Sequence, residues 1–195
     1  MNMKKDRKRE KIITAAGRVF GQHGFKDARM EKIAEEADMG KSSLYYYFLS
    51  KEELFEAVVE REAEHLKNEI ILATRDITDP YKRMKKYVIA RMNAFSESIN
   101  LYTAVKTNYL DHLPFIEKVR IKYDKEEMKM VESILKDGVR NNRFKLVNTE
   151  LATVAIVTAI KGLEYNLVIR DGAARLEQQV EQLLMFLFYG IVKRH

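Results

Sequence analysis

The 195-residue sequence has no cysteine, no tryptophan, only 2 prolines and only 8 glycines. Without thiols there can be no disulfides, thiolate zinc sites or cysteine nucleophiles, and nothing points to an oxidising compartment, so a cytoplasmic location is expected. With so few chain breakers, a sheet protein built on many tight turns is not expected. Glycines stand singly, and no loop of the kind that cradles phosphates is present. The apolar run Leu183–Val192 is ten residues long, short of the about 20 needed to cross a bilayer, and no membrane association is expected. Residues 1–11 are basic, but Ile12 and Ile13 begin an amphipathic pattern instead of a signal-peptide core. What remains is 46% hydrophobic and 33% charged, the composition of a helix-rich globular chain long enough to bury a core.

Charge is unevenly divided. Residues 1–51 hold 12 Lys and Arg against 7 Asp and Glu, whereas residues 52–195 hold 23 against 22, so nearly all of the formal charge of +6 lies at one end. A basic head on an almost neutral body suits a protein that presents one end to a polyanion, because each neutralised phosphate releases condensed counterions. Lys4, Lys5, Arg7, Lys8, Arg9 and Lys11 concentrate that charge.

Periodicity predicts an all-α chain. Ile12, Ile13, Ala16, Val19 and Phe20 recur at helical spacing from Arg7 to His23, with Gly24 as the stop. Met30, Ile33, Ala34 and Ala37 mark a second helix, ended by a three-residue turn, Asp38-Met39-Gly40, in which Asp tolerates a left-handed backbone. The third helix runs from Lys41 to Phe48. Ser50 and Glu53 form a capping box opening a fourth, which extends to about Arg75. Pro80 begins a fifth carrying Met84, Tyr87, Val88, Arg91, Met92 and Phe95, and Pro114 a long one to about Asn142 with Gly138–Asn142 as its frayed end and turn. Asn148 or Thr149 caps the penultimate helix, and Leu176, Val180, Leu183, Leu184, Leu187 and Ile191 define the last. Since Leu183–Val192 is apolar on every side, one neighbouring core cannot cover it, and a symmetric homodimer through the last two helices is expected.

Two short helices joined by a tight turn form a helix-turn-helix unit, whose second helix enters the major groove of double-stranded DNA. On a helix from Lys41 to Phe48, Leu44 and Phe48 lie one turn apart and face the scaffold. Ser42 and Tyr46 then point the opposite way, with Ser43 and Tyr45 on the flanks and Tyr47 nearer the core. Hydroxyls bond phosphate oxygens or base edges. Lys41, in the first turn, reaches a phosphate or the acceptor edge of guanine, and Lys51 opens the following helix, where free N–H groups favour a phosphate.

The stretch Ile33-Ala34-Glu35-Glu36-Ala37-Asp38-Met39-Gly40-Lys41-Ser42-Ser43-Leu44-Tyr45-Tyr46-Tyr47-Phe48, followed by Ser50-Lys51-Glu52-Glu53-Leu54, closely resembles the signature of TetR-family transcriptional regulators, over roughly residues 7–58. The resemblance implies an all-α, two-domain subunit: residues 1–50 as the DNA-binding domain, and residues 51–195 as a bundle that binds a small effector and dimerises. By motif position it makes Lys41, Ser42, Ser43 and Tyr45 readers of base or phosphate, and Tyr46, Tyr47 and Lys51 phosphate contacts. Where family members open helix two with hydroxyl pairs this chain has Arg29-Met30, and Arg29 can replace the lost phosphate ligand. Asp38 stands where many members have Gly.

The implied function is a repressor released from a palindromic operator by a small, largely apolar effector, with the fourth helix as lever and no cofactor. Met92, Phe95, Tyr102, Asn108, Tyr109, His112, Tyr123 and Asn166, with Phe115, supply a mainly apolar lining with a few polar groups. The C-terminal half resembles regulators of fatty-acid metabolism, which implies an acyl-CoA-like thioester as effector. Two alternatives come from other classes. A sequence-indifferent DNA-packaging protein would share the basic head but lack an effector. A di-iron bundle enzyme would need two Glu-x-x-His motifs, whereas Glu62-Ala63-Glu64-His65 is a single copy, and neither a metal site nor a catalytic residue is expected.

Overall fold

The computed structural model describes residues 3–98, 100, 114–164 and 176–189. All regular structure among the described residues is helical. The elements are α1 (Met3–Asp27), α2 (Met30–Glu36), α3 (Lys41–Tyr47), α4 (Lys51–Thr74), α5 (Pro80–Glu97), α6 (Pro114–Arg140), α7 (Thr149–Glu164) and α8 (Leu176–Tyr189). They divide into two compact units, one from residues 3–64 with those described in 98–121, the other from residues 65–97 with those described in 122–195. Helix α4 contributes to both.

In the first unit, α1 starts four residues before the expected Arg7, and Gly24 interrupts it instead of ending it. Gly24 has φ 72° and ψ 165°, a backbone that L side chains resist. The break sends Phe25 inward, where its ring lies 6.0 Å from Phe20 and 4.9 Å from Phe55. Ile12, Ile13, Ala16, Val19, Ile33, Leu44, Phe48, Leu54 and Val58 complete this core. Helix α2 ends in a Schellman motif: Met39 N donates to Ala34 O at 3.0 Å and Asp38 N to Glu35 O at 2.9 Å, with Asp38 at φ 52°. The expected left-handed aspartate is therefore present. The box before α4 forms with a one-residue offset: Glu53 N donates to Ser50 Oγ (3.1 Å), while the Glu53 carboxylate accepts from Leu49 N (2.7 Å).

The second unit packs α5, α6, α7 and α8 around Met84, Tyr87, Val88, Met92, Val131, Ile134, Val157, Ile160, Val180 and Leu184. Helix α5 is capped by Asp79, whose carboxylate accepts from Lys82 N at 2.9 Å, and this bond holds the Asp79 carboxyl below its ordinary range. Asn148 caps α7 in the same way through Leu151 N (2.9 Å).

The turn expected at Gly138–Asn142 is present, but the expectation that the helix end is frayed is corrected. Helix α6 closes in a second Schellman motif, with Arg143 N on Gly138 O (2.8 Å), Asn142 N on Val139 O (3.0 Å) and Asn142 at φ 54°. Gly138 is a packing residue: a Cβ there would stand 2.0 Å from the Phe144 ring, so only glycine lets that ring fold back on the helix.

Candidate nucleic-acid interface

Helix α3 is short, and its orientation is fixed by what it buries. Leu44 and Phe48 are fully buried, which leaves Lys41, Ser42, Ser43, Tyr45 and Tyr46 exposed and Tyr47 half-buried. Tyr46 projects furthest, with 72% of its surface exposed, and meets the Tyr47 ring edge-on at 5.2 Å. Gly40 precedes the helix with an extended backbone, and its carbonyl accepts from Ser43 N (2.9 Å) and Leu44 N (3.2 Å). No side chain caps this end, so the α3 N-terminus offers its first N–H groups to solvent.

The basic start of α1 lies beside α3. Lys8 and Lys11 share a groove of about 540 Å³ with Met39, Ser42, Ser43 and Tyr46. The Lys5 ammonium stands 5.3 Å from the centre of the Tyr46 ring, and the Arg9 guanidinium 5.1 Å from that of Phe48. Groove, hydroxyls and cations thus form one surface with the donors and positive charge that phosphates and base edges require. Lys8 and Lys11 were legible only as members of a basic run, since spacing alone does not tell which of its residues lie against α3.

Carboxylates temper that surface. Lys41 is ion-paired with Glu31 in the first turn of α2, Lys11 lies 3.5 Å from Asp38, and Arg18 lies 3.0 Å from Glu36. The hydrogen bond from Lys41, with its charge, holds the Glu31 carboxyl below the usual carboxylate range, and Glu31 raises Lys41 reciprocally. Ten residues separate Glu31 from Lys41, and no sequence signal marked them as partners.

Arg29 sits at the cap position of α2 with extended backbone and an exposed side chain that makes no cap bond. Lys51 is placed differently. Its ammonium donates to Lys26 O and Ala28 O, both at 3.1 Å, and stands 4.7 Å above the Phe25 ring. Lys51 therefore fastens the start of α4 to the corner between α1 and α2, and its ammonium is already engaged by carbonyls.

Of the expected effector residues, Tyr102, Asn108, Tyr109, His112 and Asn166 lie outside the described residues, as does the Phe95 side chain. Met92 is fully buried, Phe115 is buried within the first unit, and Tyr123 is half-buried beneath the Lys122 ammonium at 4.8 Å. The second unit also holds a buried polar network that the sequence reading did not single out. Glu127 Oε1 accepts from Tyr87 OH (2.6 Å) and from Arg91 Nε, while Glu127 Oε2 lies 3.3 Å from Lys161 Nζ, which also pairs with Asp124. Burial alone would raise the Glu127 carboxyl, but Arg91, Lys161 and the Tyr87 hydroxyl outweigh it and hold the group low. Burial and the adjacent Glu127 push the Tyr87 phenol well up. The available signal was Arg91 itself, a charge on the apolar face of α5.

A cavity of about 610 Å³ in the second unit is lined by Tyr81, Phe144, Ile156, Leu187 and Phe188 among others; of the expected effector residues that are described, neither Met92 nor Tyr123 is among them. Among the described residues no group of three or more potential metal ligands is present, and no helix is long and apolar enough to span a membrane. The Glu62–His65 pair is taken up otherwise: Glu62 accepts from Asn100 (2.6 Å), and His65 lies 3.7 Å from Glu97.

Comparison with known proteins agrees with this geometry. Residues 12–58 match the family model described as bacterial regulatory proteins, tetR family. The chain is 26% identical over 157 residues to the transcriptional activator FasR of Mycolicibacterium smegmatis, covering 80% of this chain and 72% of that protein. Its fold resembles a TetR transcription regulator from Haloarcula marismortui (TM-score 0.79, 19% identity, 96% of this chain and 100% of that one). It also resembles the regulator FadR of Bacillus subtilis, solved in complex with stearoyl-CoA (TM-score 0.76, 18% identity, 94% and 99%). Residues 12–58 therefore carry the helix-turn-helix of the tetR family of bacterial regulatory proteins, in a chain whose helices are arranged as in solved TetR regulators.

Proposed function

We propose that this protein is a cytoplasmic, homodimeric repressor that binds a palindromic operator and is released from it by a long-chain acyl thioester. The observation that carries the DNA-binding part is the α3 face, where Leu44 and Phe48 anchor the helix and Ser42, Ser43, Tyr45 and Tyr46 are left to the outside. Lys41 and Arg29 supply charge at its edges, Tyr47 supports Tyr46, and Lys51 contributes by holding the corner. Residues 1–50 act as the DNA-binding domain and residues 51–195 as the effector and dimerisation domain.

The dimer is supported by apolar surface that the chain does not cover. Leu151 and Val154 on α7 and Met185, Phe186 and Tyr189 on α8 are all exposed, Phe186 by 61%. Large apolar side chains gathered on two helices of one unit suit a self-complementary interface.

The effector class rests on the fold shared with FadR, which holds stearoyl-CoA in its solved complex. Duplexes selected from a random pool by the purified protein should carry a palindromic consensus, and titrating stearoyl-CoA into the complex should dissociate it. A pool without consensus favours the packaging alternative. Indifference to stearoyl-CoA removes the acyl thioester and leaves operator binding untouched. One observation favours the opposite sign of control, since the relative FasR is named an activator. Tightening of the complex by the thioester would select that reading.

A further inference from the structure

We infer that Glu31 determines specificity by holding Lys41 off non-specific phosphates, so that the Lys41–Glu31 pair opens only on a correctly docked operator. This rests on the proposed operator binding and adds a residue that the family signature does not single out.

The geometry is that of two helix starts facing one another. Glu31 lies in the first turn of α2 and Lys41 opens α3, and their side chains pair although both are more than half exposed. A cation at the start of a reading helix would, left alone, neutralise a phosphate of any sequence. That term is common to all DNA and carries no sequence information. Paired with Glu31, it gains a phosphate only by giving up its carboxylate, which is then left beside a polyanion. On loosely docked DNA the exchange brings no advantage, and the pair stays closed.

On the operator, close docking of α3 brings an acceptor within reach of Lys41, either a phosphate held in register or the O6/N7 edge of guanine. The exchange then has a partner in fixed geometry, and the pair opens. Asp38 repeats the arrangement in the groove that Ser42 lines: it faces Lys11 at 3.5 Å and is almost wholly exposed. Lys41 and Lys11, two of the cations beside the outward hydroxyls, are therefore each attended by a carboxylate, the arrangement expected where discrimination matters more than raw affinity.

The test is Glu31→Gln, with the wild-type protein, a selected operator and a random duplex of equal length, in salt titrations followed by fluorescence anisotropy. On the random duplex the variant should bind more tightly and gain one phosphate contact. Its salt slope should steepen by about 0.9, so that it loses about threefold more affinity than wild type between 50 and 200 mM salt. On the operator the slope should be unchanged, because that contact is already made there, and the operator-to-random ratio should fall.

Equal changes on both duplexes, or none, would overturn the inference. So would a Lys41→Gln/Glu31→Gln double variant that keeps the raised random affinity, since the effect would then be plain repulsion of DNA by a carboxylate. A wild-type protein that selects no sequence at all would end the operator reading and this inference with it. Glu31 is exposed and its ion pair with Lys41 lies at the surface, so a melting temperature close to wild type is expected and checks that the variant folds.

Discussion

Replacing Lys51 by alanine separates a residue that shapes the DNA-binding head from one that touches DNA. The ammonium makes two hydrogen bonds of 3.1 Å to carbonyls, one at an exposed position and one partly buried, and stands 4.7 Å from the centre of the Phe25 ring. The exposed bond exchanges readily with water and counts for little. The partly buried one, made by a charged donor, is worth about 1.5 kcal/mol. A cation over an aromatic face at such a site adds about 0.5–1 kcal/mol. The expected loss is therefore about 2 kcal/mol, which in a chain of this size lowers the melting temperature by about 4–8 °C. Because the ammonium is engaged by the protein itself, the salt slope of operator binding should stay at the wild-type value, whereas loss of a phosphate ligand lowers it by about one. Calorimetry with a salt titration of operator affinity reads both quantities on one preparation. Lys51→Arg should recover part of the stability, since the guanidinium can reach the same carbonyls and the same ring. An alanine variant that melts like wild type but shows a slope lower by about one would refute the staple and make Lys51 a direct phosphate contact.

Glu127→Ala should cost about 3–5 kcal/mol in urea unfolding, because Arg91 is left buried without its carboxylate, whereas Arg91→Met/Glu127→Leu should cost less, about 1–3 kcal/mol, since it removes the charge pair together and leaves only the buried Tyr87 hydroxyl without its acceptor. As the folded protein holds Glu127 below its ordinary range, its contribution is complete above the unfolded carboxylate value and disappears as pH falls through the folded one. Stability measured from neutral pH into acid should therefore fall less steeply in Arg91→Met/Glu127→Leu than in wild type. Phe186→Glu, on the exposed face of α8, should yield monomers by light scattering and weaken operator binding while leaving the fold intact by circular dichroism. Gly138→Ala should lower stability, because about 1–3 kcal/mol of overpacking against Phe144 exceeds the about 1 kcal/mol that alanine gains in a helix. In a Phe144→Ala background, where the clashing ring is gone, the same Gly138→Ala change should no longer destabilise.

Local order was legible in the sequence wherever one residue type meets one backbone requirement. The aspartate that tolerates a left-handed backbone, the Ser50–Glu53 box and the Asn148 cap all form as their chemistry demands. The outward face of α3 was legible too, since Leu44 and Phe48 leave only one way for a short helix to lie. Pairings between elements were not. Nothing in the spacing of Lys51 from Lys26 and Ala28 says that an ammonium will find the carbonyls at the junction between α1 and α2. Gly138 looked like a turn residue because glycine ends helices often, and only the return of Phe144 makes it a packing residue. The Tyr87–Arg91–Glu127 network shows the same limit: Arg91 on an apolar stripe signals a buried partner, but the partner lies 36 residues on.

The paired carboxylates and the uncovered apolar face answer one another. Lys11, Arg18 and Lys41 each face an acid of their own head, so a single head spends part of its charge internally and should hold DNA weakly. Weak heads are useful only if two act together, because the second then binds as an intramolecular event at high effective concentration, and only where two half-sites have the right spacing. On the proposed reading, the apolar surface of α7 and α8 supplies that coupling, and affinity is placed in the pair instead of in the head. A monomeric variant such as Phe186→Glu should thus lose far more affinity for a full palindrome than for a single half-site, where it should bind like one head of the wild type. Equal losses on the two duplexes would mean that the substitution had damaged the head, and the division of labour between the two ends of the chain would not stand.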